Sequence, residues 1–284
     1  RLVKRHVLIR KLPSVETLGA ATVVCSDKTG TLTRNEMMVR AVYANGQLFT
    51  VTGNGYDPEG KFLLGEKEVN PADYPEVMTT LTCGLLCNAA SLVKENGRYK
   101  IAGDPTEGAL LSVGLKAGLE KSKLEEDQPL VEEIPFDSER KMMTMIRKAG
   151  EEYIAYVKGA PDILLQNCTR QLVNGQEVPL SEQEAKKILE INDVLAGQAL
   201  RVLGCAYRKM SALPERMEAS TVEKDLVFSG LVAMIDPPRS EAVEAIGKCL
   251  QAGIKPIMIT GDHKTTAVAI ASEMGLLQPG LEAL

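Results

Sequence analysis

Histidine stands at only two positions, 6 and 263, and none of the six cysteines (25, 83, 87, 168, 205 and 249) belongs to a Cys-x-x-Cys pair. That spacing spells neither a zinc site nor a disulfide framework, and a chain of 284 residues needs no covalent staples. The cysteines read as free thiols in a reducing compartment. Cys83 and Cys87, one turn apart on a helix expected over 76–90, read as core packing. No apolar run approaches the roughly 20 residues that a membrane-spanning helix requires, and the basic start "RLVKRHVLIRK" leads into no signal core, so the chain as given reads as soluble. Blocks of one charge are missing too: 33 bases and 38 acids are interspersed, which leaves no extended basic surface and no expected nucleic-acid partner. There is no internal repeat or low-complexity stretch. The sequence opens without an initiator Met and stops just after a helix, which reads as a piece of a longer protein.

What remains is ordinary globular material, 44% apolar and 25% charged, with room for two domains. The two ends share one grammar. "ATVVCSD" (21–27) and "KPIMITGD" (255–262) are short apolar runs of the kind that form doubly buried parallel strands. Two helices at the C-terminal end show apolar stripes, Val243, Ile246 and Leu250 in one and Ala267, Ile270, Ala271 and Met274 in the other, each closing on a glycine, Gly253 and Gly275. The middle differs. "MMTMIRKAG" and "EEYIAYVKG" are strands joined at Ala149-Gly150, while "ALRVLGCAYRKM" and "LVFSGLVAMID" are two more. Helices are expected at 76–90, at 105–117 and at 182–197, the last opened by a Ser181/Glu184 capping box. The expected division is 1–36 and 231–284 as two parts of one α/β domain with a Rossmann-like parallel sheet, and 37–230 as an α+β insertion built on an antiparallel sheet.

"VVCSDKTGTLTRNEM" (23–37) concentrates the chemistry. Asp27 ends a strand and is followed by Lys28, Thr29, Gly30 and Thr31, so hydroxyl and amide donors surround a carboxylate that can itself be a nucleophile. The run "DKTGTLT" matches the phosphorylation signature of the P-type ATPases, ion pumps that cycle through an aspartyl phosphate. "LPSVETLGAATVVCSDKTGTLTRNEM" resembles their P2 branch, with calcium and sodium/potassium pumps, and "KGAPD" (158–162), "DPPR" (236–239) and "TGDHKTTA" (260–267) follow in the family's order. The resemblance spans the whole chain. It implies a haloacid-dehalogenase-like fold for the terminal parts and a nucleotide-binding domain for the insertion.

Residue roles follow from the same resemblance. Asp27 would accept the phosphoryl group, with Lys28, Thr29, Thr260 and Gly261 around it. Phosphatases of the haloacid dehalogenase fold commonly carry a second aspartate where this chain has Thr29; losing that proton carrier, worth about 10²- to 10⁴-fold, should prolong the phosphoenzyme. For ATP the resemblance names Glu107, Phe136, Lys141, Lys158, Gly159, Arg201, Asp236, Arg239 and Asp262, with Phe136 stacking on adenine. Glu107 has a purely structural reading as well, because "DPTEG" spells a helix start with Asp104 as N-cap and Glu107 closing a capping box.

For Mg²⁺ the resemblance offers Asp27 and the carbonyl of Thr29. The family's Gly-Asp-Gly-x-Asn-Asp acids do not occur in this sequence, so the polypeptide is expected to bind ATP but to phosphorylate itself poorly. The other expected partners are the membrane and actuator domains of the same pump. It would sit at the cytoplasmic face of a multi-pass membrane protein, with the transported cation, calcium by analogy, bound elsewhere. Two rivals stand beside this reading: a soluble haloacid-dehalogenase-type phosphatase, and an ATP-binding module without catalysis.

Overall fold

The computed structural model describes residues 19–53, 55–95, 98–261 and 264–277. They fall into two compact units, one comprising the described residues up to Arg34 and from Pro238 onward, the other Asn35–Pro237.

The smaller unit opens with β1 (Val23–Asp27). The larger unit then starts on β2 (Met38–Ala44) and β3 (Gln47–Val51), joined by Asn45-Gly46 with both residues at positive φ, the backbone that a two-residue hairpin turn demands. Next come β4 (Phe62–Leu64), β5 (Lys67–Val69), α1 (Pro75–Leu86), β6 (Ser91–Glu95) and β7 (Arg98–Ala102). Helices α2 (Pro105–Lys116) and α3 (Lys121–Asp127) lead into β8 (Leu130–Asp137), β9 (Met142–Ala149) and β10 (Glu152–Gly159). After α4 (Pro161–Gln166) follow β11 (Cys168–Val173), β12 (Gln176–Pro179), α5 (Glu182–Gly197), β13 (Arg201–Met210), α6 (Ala219–Val222) and β14 (Leu226–Ile235). The chain ends its described course in the smaller unit with α7 (Ser240–Gln251), β15 (Lys255–Ile259) and α8 (Lys264–Glu273).

The larger unit is built on one sheet in the order β5-β4-β3-β2-β14-β13-β10-β9-β8, antiparallel at every step, with the β11-β12 hairpin joined in parallel to the first part of β14. Side chains alternate between its faces, as the two-residue period of a strand requires. Met143, Met145, Tyr156, Cys205, Tyr207, Val232 and Met234 meet Val77, Leu81, Cys83 and Leu86 of α1. Met142, Val157, Ala206 and Leu231 point the other way, onto Leu164, Leu165 and Ile188 of α4 and α5. The sheet is therefore sandwiched between helices, and Cys83 and Cys87 lie in its core at 0% exposure.

Several expectations change. The helix expected over 76–90 stops at Leu86, because Cys87 leaves helical geometry at φ −97°, ψ 66°. Strands 21–27 and 255–262 do pair in parallel, over Val23–Asp27 and Lys255–Ile259, but they are not doubly buried. Val23 is 48% and Ile259 57% exposed, since among the described residues this sheet has only two strands and neither face is closed over. For the same reason the stripe of α7 buries Ile246 but leaves Val243 and Leu250 exposed. Gly253 and Gly275 do take the left-handed conformation after their helices, at φ 72° and 71°.

The core sets an alkaline limit. Burial pushes Tyr56 and Tyr156 up to about 12 and the Cys87 thiol up to about 11. In the unfolded chain such groups lose their protons at roughly 8.5 for Cys and 10 for Tyr. Above those values the unfolded state binds fewer protons than the folded one, so stability must fall as pH rises. The urea midpoint of unfolding is expected to be flat with respect to these groups below about pH 8 and to drop steadily from about pH 9 to 12; a midpoint constant across that window would contradict the burial of these groups.

Candidate functional site

One cavity of about 640 Å³ in the larger unit is lined by Glu107, Phe136, Lys141, Lys158, Gly159 and Arg201. These residues lie on α2, at the two ends of the β8-β9 turn, at the end of β10 and at the start of β13, so the sheet register together with the packing of α2 assembles them. Thr106, Met143, Ala160, Val202 and Leu203 also line it and were not singled out from sequence. Met143, Val202 and Leu203 read there as strand core, and nothing local marks them as cavity walls. The mixture is that of a small-molecule site: apolar walls, one exposed aromatic ring and a few cations. Phe136 is 63% exposed, an unusual position for one of only four phenylalanines.

The floor is electrostatic. Lys158 of the cavity lining, with Arg147 and Lys121 behind it outside the lining, converges on carbonyls at and just beyond the carboxyl end of α1, where the last helix carbonyls lack intrahelical partners and carry partial negative charge. Arg147 donates through Nε to Leu86 O (2.8 Å), Lys158 through Nζ to Cys87 O (2.6 Å), and Lys121 through Nζ to Asn88 O and Ala90 O (2.6 and 2.9 Å). Lys158, 7% exposed, also forms an ion pair with Glu107 Oε1, while Glu107 Oε2 accepts from Ala89 N at 3.2 Å. Asp104 caps α2 as expected, accepting from Thr106 N and Glu107 N at 2.7 and 3.3 Å. Glu107 does not close the capping box with it. Its carboxylate turns to Lys158 instead, because a buried ammonium is a stronger partner than a solvated backbone amide.

The rim is built by the turn after β8. Lys141 sits at φ 51°, and its carbonyl accepts from Ala160 N at 3.0 Å, which ties the turn to the end of β10. Gly159 is required at this approach: a Cβ there would lie 2.6 Å from Lys141 O. Arg201 donates to Thr106 Oγ1 at 3.1 Å, so the first turn of α2 holds one cavity cation through Thr106 and another through Glu107.

The smaller unit holds the aspartate loop. Asp27 ends β1 opposite Ile259 of β15, so Thr260 and Gly261 follow at the same carboxyl edge of neighbouring parallel strands. Asp27, Thr29 and Gly261 are exposed, whereas Lys28 is buried. Gly30 turns the loop at φ 71°, and Thr33 closes it, its N–H and Oγ1 both donating to Lys28 O at 3.0 and 3.1 Å. Arg239 braces the loop from outside, donating through Nε to Thr33 O and through Nη2 to Gly30 O at 2.9 and 3.1 Å. Asp236 is buried just beyond β14 of the larger unit, near Tyr56, and does not line the cavity. Asp262 lies outside the described residues. Among the described residues no cluster of three or more His, Cys, Asp or Glu side chains forms a metal site, and no helix is long and apolar enough to cross a membrane.

Residues 76–241, which hold most of the antiparallel sheet and all of the cavity lining, are matched by a family model described as P-type ATPase, cytoplasmic domain N. More than half of the chain is covered, and the chain belongs to the P-type ATPases. It is 44% identical over 279 residues to a calcium-transporting ATPase of Bacillus subtilis (strain 168), covering 98% of this chain and 31% of that protein. To the cation-transporting ATPase pma1 of Synechocystis sp. (PCC 6803) it is 43% identical over 286 residues, covering 99% and 31%. To calcium-transporting ATPase 1 of Lactococcus lactis (strain IL1403) it is 38% identical over 284 residues, covering 100% and 30%. The chain thus spans under a third of the length of these relatives.

Proposed function

We propose that this chain is the ATP-binding and phosphorylation region of a pump that drives a cation, calcium by analogy with its relatives, across a membrane from the cytoplasmic face. ATP occupies the cleft of the larger unit, its base against Phe136 and its phosphates reached by Lys141 and Arg201, with Lys158 and Glu107 fixing the floor. The observation that carries this reading is the convergence on one cavity of residues drawn from four separate elements. The smaller unit, read as part of a haloacid-dehalogenase-like domain, supplies the acceptor. An Asp27 carboxylate oxygen attacks the γ-phosphorus, its bond to phosphorus forms as the bond to the β,γ-bridging oxygen breaks, and ADP leaves with that electron pair. Thr260 and Gly261, at the neighbouring strand end, would donate hydrogen bonds to the transferring group. Thr29, where a proton-carrying acid would speed hydrolysis, leaves the acyl phosphate long-lived.

Magnesium, which the family uses, would supply charge neutralisation at the phosphates. Asp27 and the Thr29 carbonyl would provide two oxygen ligands, fewer than its near-octahedral shell asks for, and among the described residues no acidic cluster completes it. The remaining membrane and actuator parts of the pump are the expected partners.

The test is an ATP titration by calorimetry on the 284-residue chain. Phe136→Ala is expected to weaken ATP by about 1–3 kcal/mol, the worth of one base stacked on one ring. Unchanged affinity in that variant would remove Phe136 from the site and with it the assignment of the cleft.

A further inference from the structure

Phe136 is aimed at the cavity by an irregularity that two other side chains hold in place. In the β8-β9 pairing Ile134 faces Thr144 and Asp137 faces Met142, so Pro135 and Phe136 stand opposite the single residue Met143. Two residues against one is a β-bulge, a device that bends a strand and re-aims a side chain. Its cost is local. Pro135 has no N–H to offer, and its carbonyl turns out of the ladder, where Arg140 Nη2 donates to it at 2.6 Å.

Arg140 is in turn fixed from two sides. Its backbone N–H donates to Asp137 Oδ1 at 2.9 Å, which also holds the Asp137 carboxyl below its ordinary range. Its Nη1 forms an ion pair with Glu223 Oε1, an oxygen that also accepts from Thr144 Oγ1 at 2.6 Å. Glu223 is 4% exposed, and its Oε2 accepts no hydrogen bond from the described residues. A carboxylate this buried depends on its cation, so the pair is costly to break. Glu223 follows α6, whose end is tied to β13 by Arg208 donating to Thr221 O at 2.9 Å. The contacts therefore run from β13 through Glu223 and Arg140 to Pro135 O, one residue before the exposed ring.

We infer that Arg140 and Glu223 are positioning residues for the nucleotide base: they set where the bulge presents Phe136 and touch no ligand themselves. The inference rests on the proposed stacking of the base on Phe136. The experiment is a double-mutant cycle on the 284-residue chain, with ATP dissociation constants for wild type, Arg140→Ala, Phe136→Ala and the two combined. Arg140→Ala alone should weaken ATP about tenfold, and in the Phe136→Ala background it should add less than about twofold, because the ring it positions is gone. Glu223→Gln keeps the acceptor for Thr144 and removes the charge; it should weaken ATP about threefold and carries the test if Arg140→Ala does not fold. Additive losses overturn the inference. So does wild-type affinity in the folded Arg140 and Glu223 variants while Phe136→Ala binds weakly, a result that leaves the cleft assignment standing. Wild-type affinity in Phe136→Ala removes both.

Discussion

Glu107→Ala is expected to destabilise the larger unit by about 3–5 kcal/mol, the usual consequence of removing one partner from a buried ion pair. The magnitude follows from where Lys158 is left. Its side chain is 9% exposed and that of Glu107 12%, so water cannot take over the role of the lost carboxylate. Cys87 O would remain as its neighbour, a dipole where a full charge had been. Ala89 N would lose its acceptor in the same stroke. Glu107→Gln keeps the volume and one acceptor oxygen and should cost less, about 1.5–3 kcal/mol, the range for hydrogen bonds to charged groups. Lys158→Met combined with Glu107→Gln should recover part of the loss, since removing both charges avoids the uncompensated one. Urea unfolding followed by circular dichroism measures all three. A Glu107→Ala loss under about 1 kcal/mol would mean that the pair is solvated and that the floor of the cleft is not electrostatically tight.

What sequence could read here was what depends on near neighbours. The hairpin of β9 and β10 turns at Gly150, φ 63°, where Ala149-Gly150 predicts it. Asp104 caps α2, and Ser181 caps α5 by accepting from Glu184 N at 3.2 Å. The second half of that capping box is not made as expected, for Glu184 binds Lys187 at 2.6 Å instead. Asp27 and Thr260 were legible as strand ends, and the parallel register of β1 with β15 puts them at one edge. Partner choice over long separations was not legible. Glu107 finds Lys158 at 51 positions' distance and Arg140 finds Glu223 at 83, pairings that exist only after the sheet has set its register. A local pattern such as "DPTEG" offers Glu107 a nearby amide, and only the folded geometry shows a buried ammonium outcompeting it. Burial failed in the same way: "TVVCSD" looks like a central strand, but its exposure depends on how many strands flank it.

Arg147→Ala should be as damaging, at about 3–5 kcal/mol, although "MIRKAG" marks it as nothing more than the polar end of a strand. Arg147 lies on the α1 face of β9 and is 2% exposed. Its guanidinium fork serves three acceptors in different directions: Leu86 O at 2.8 Å, Gln128 O at 3.2 Å and Glu125 Oε1 at 2.9 Å. It therefore joins the end of α1 to the segment around α3 across the edge of the sheet. An ammonium has the charge but not the planar fork, so Arg147→Lys is expected to retain less than half of the lost stability. Because Leu86 O and Cys87 O are successive carbonyls, freeing the first also loosens the second, which holds Lys158. Arg147→Ala should accordingly weaken ATP as well as lower the urea midpoint, while Lys61→Ala, which breaks an exposed pair with Glu68, should change neither. A variant at Arg147 with wild-type midpoint and wild-type ATP affinity would show that the carboxyl end of α1 holds its place without the guanidinium, and that the electrostatic floor begins only at Lys158.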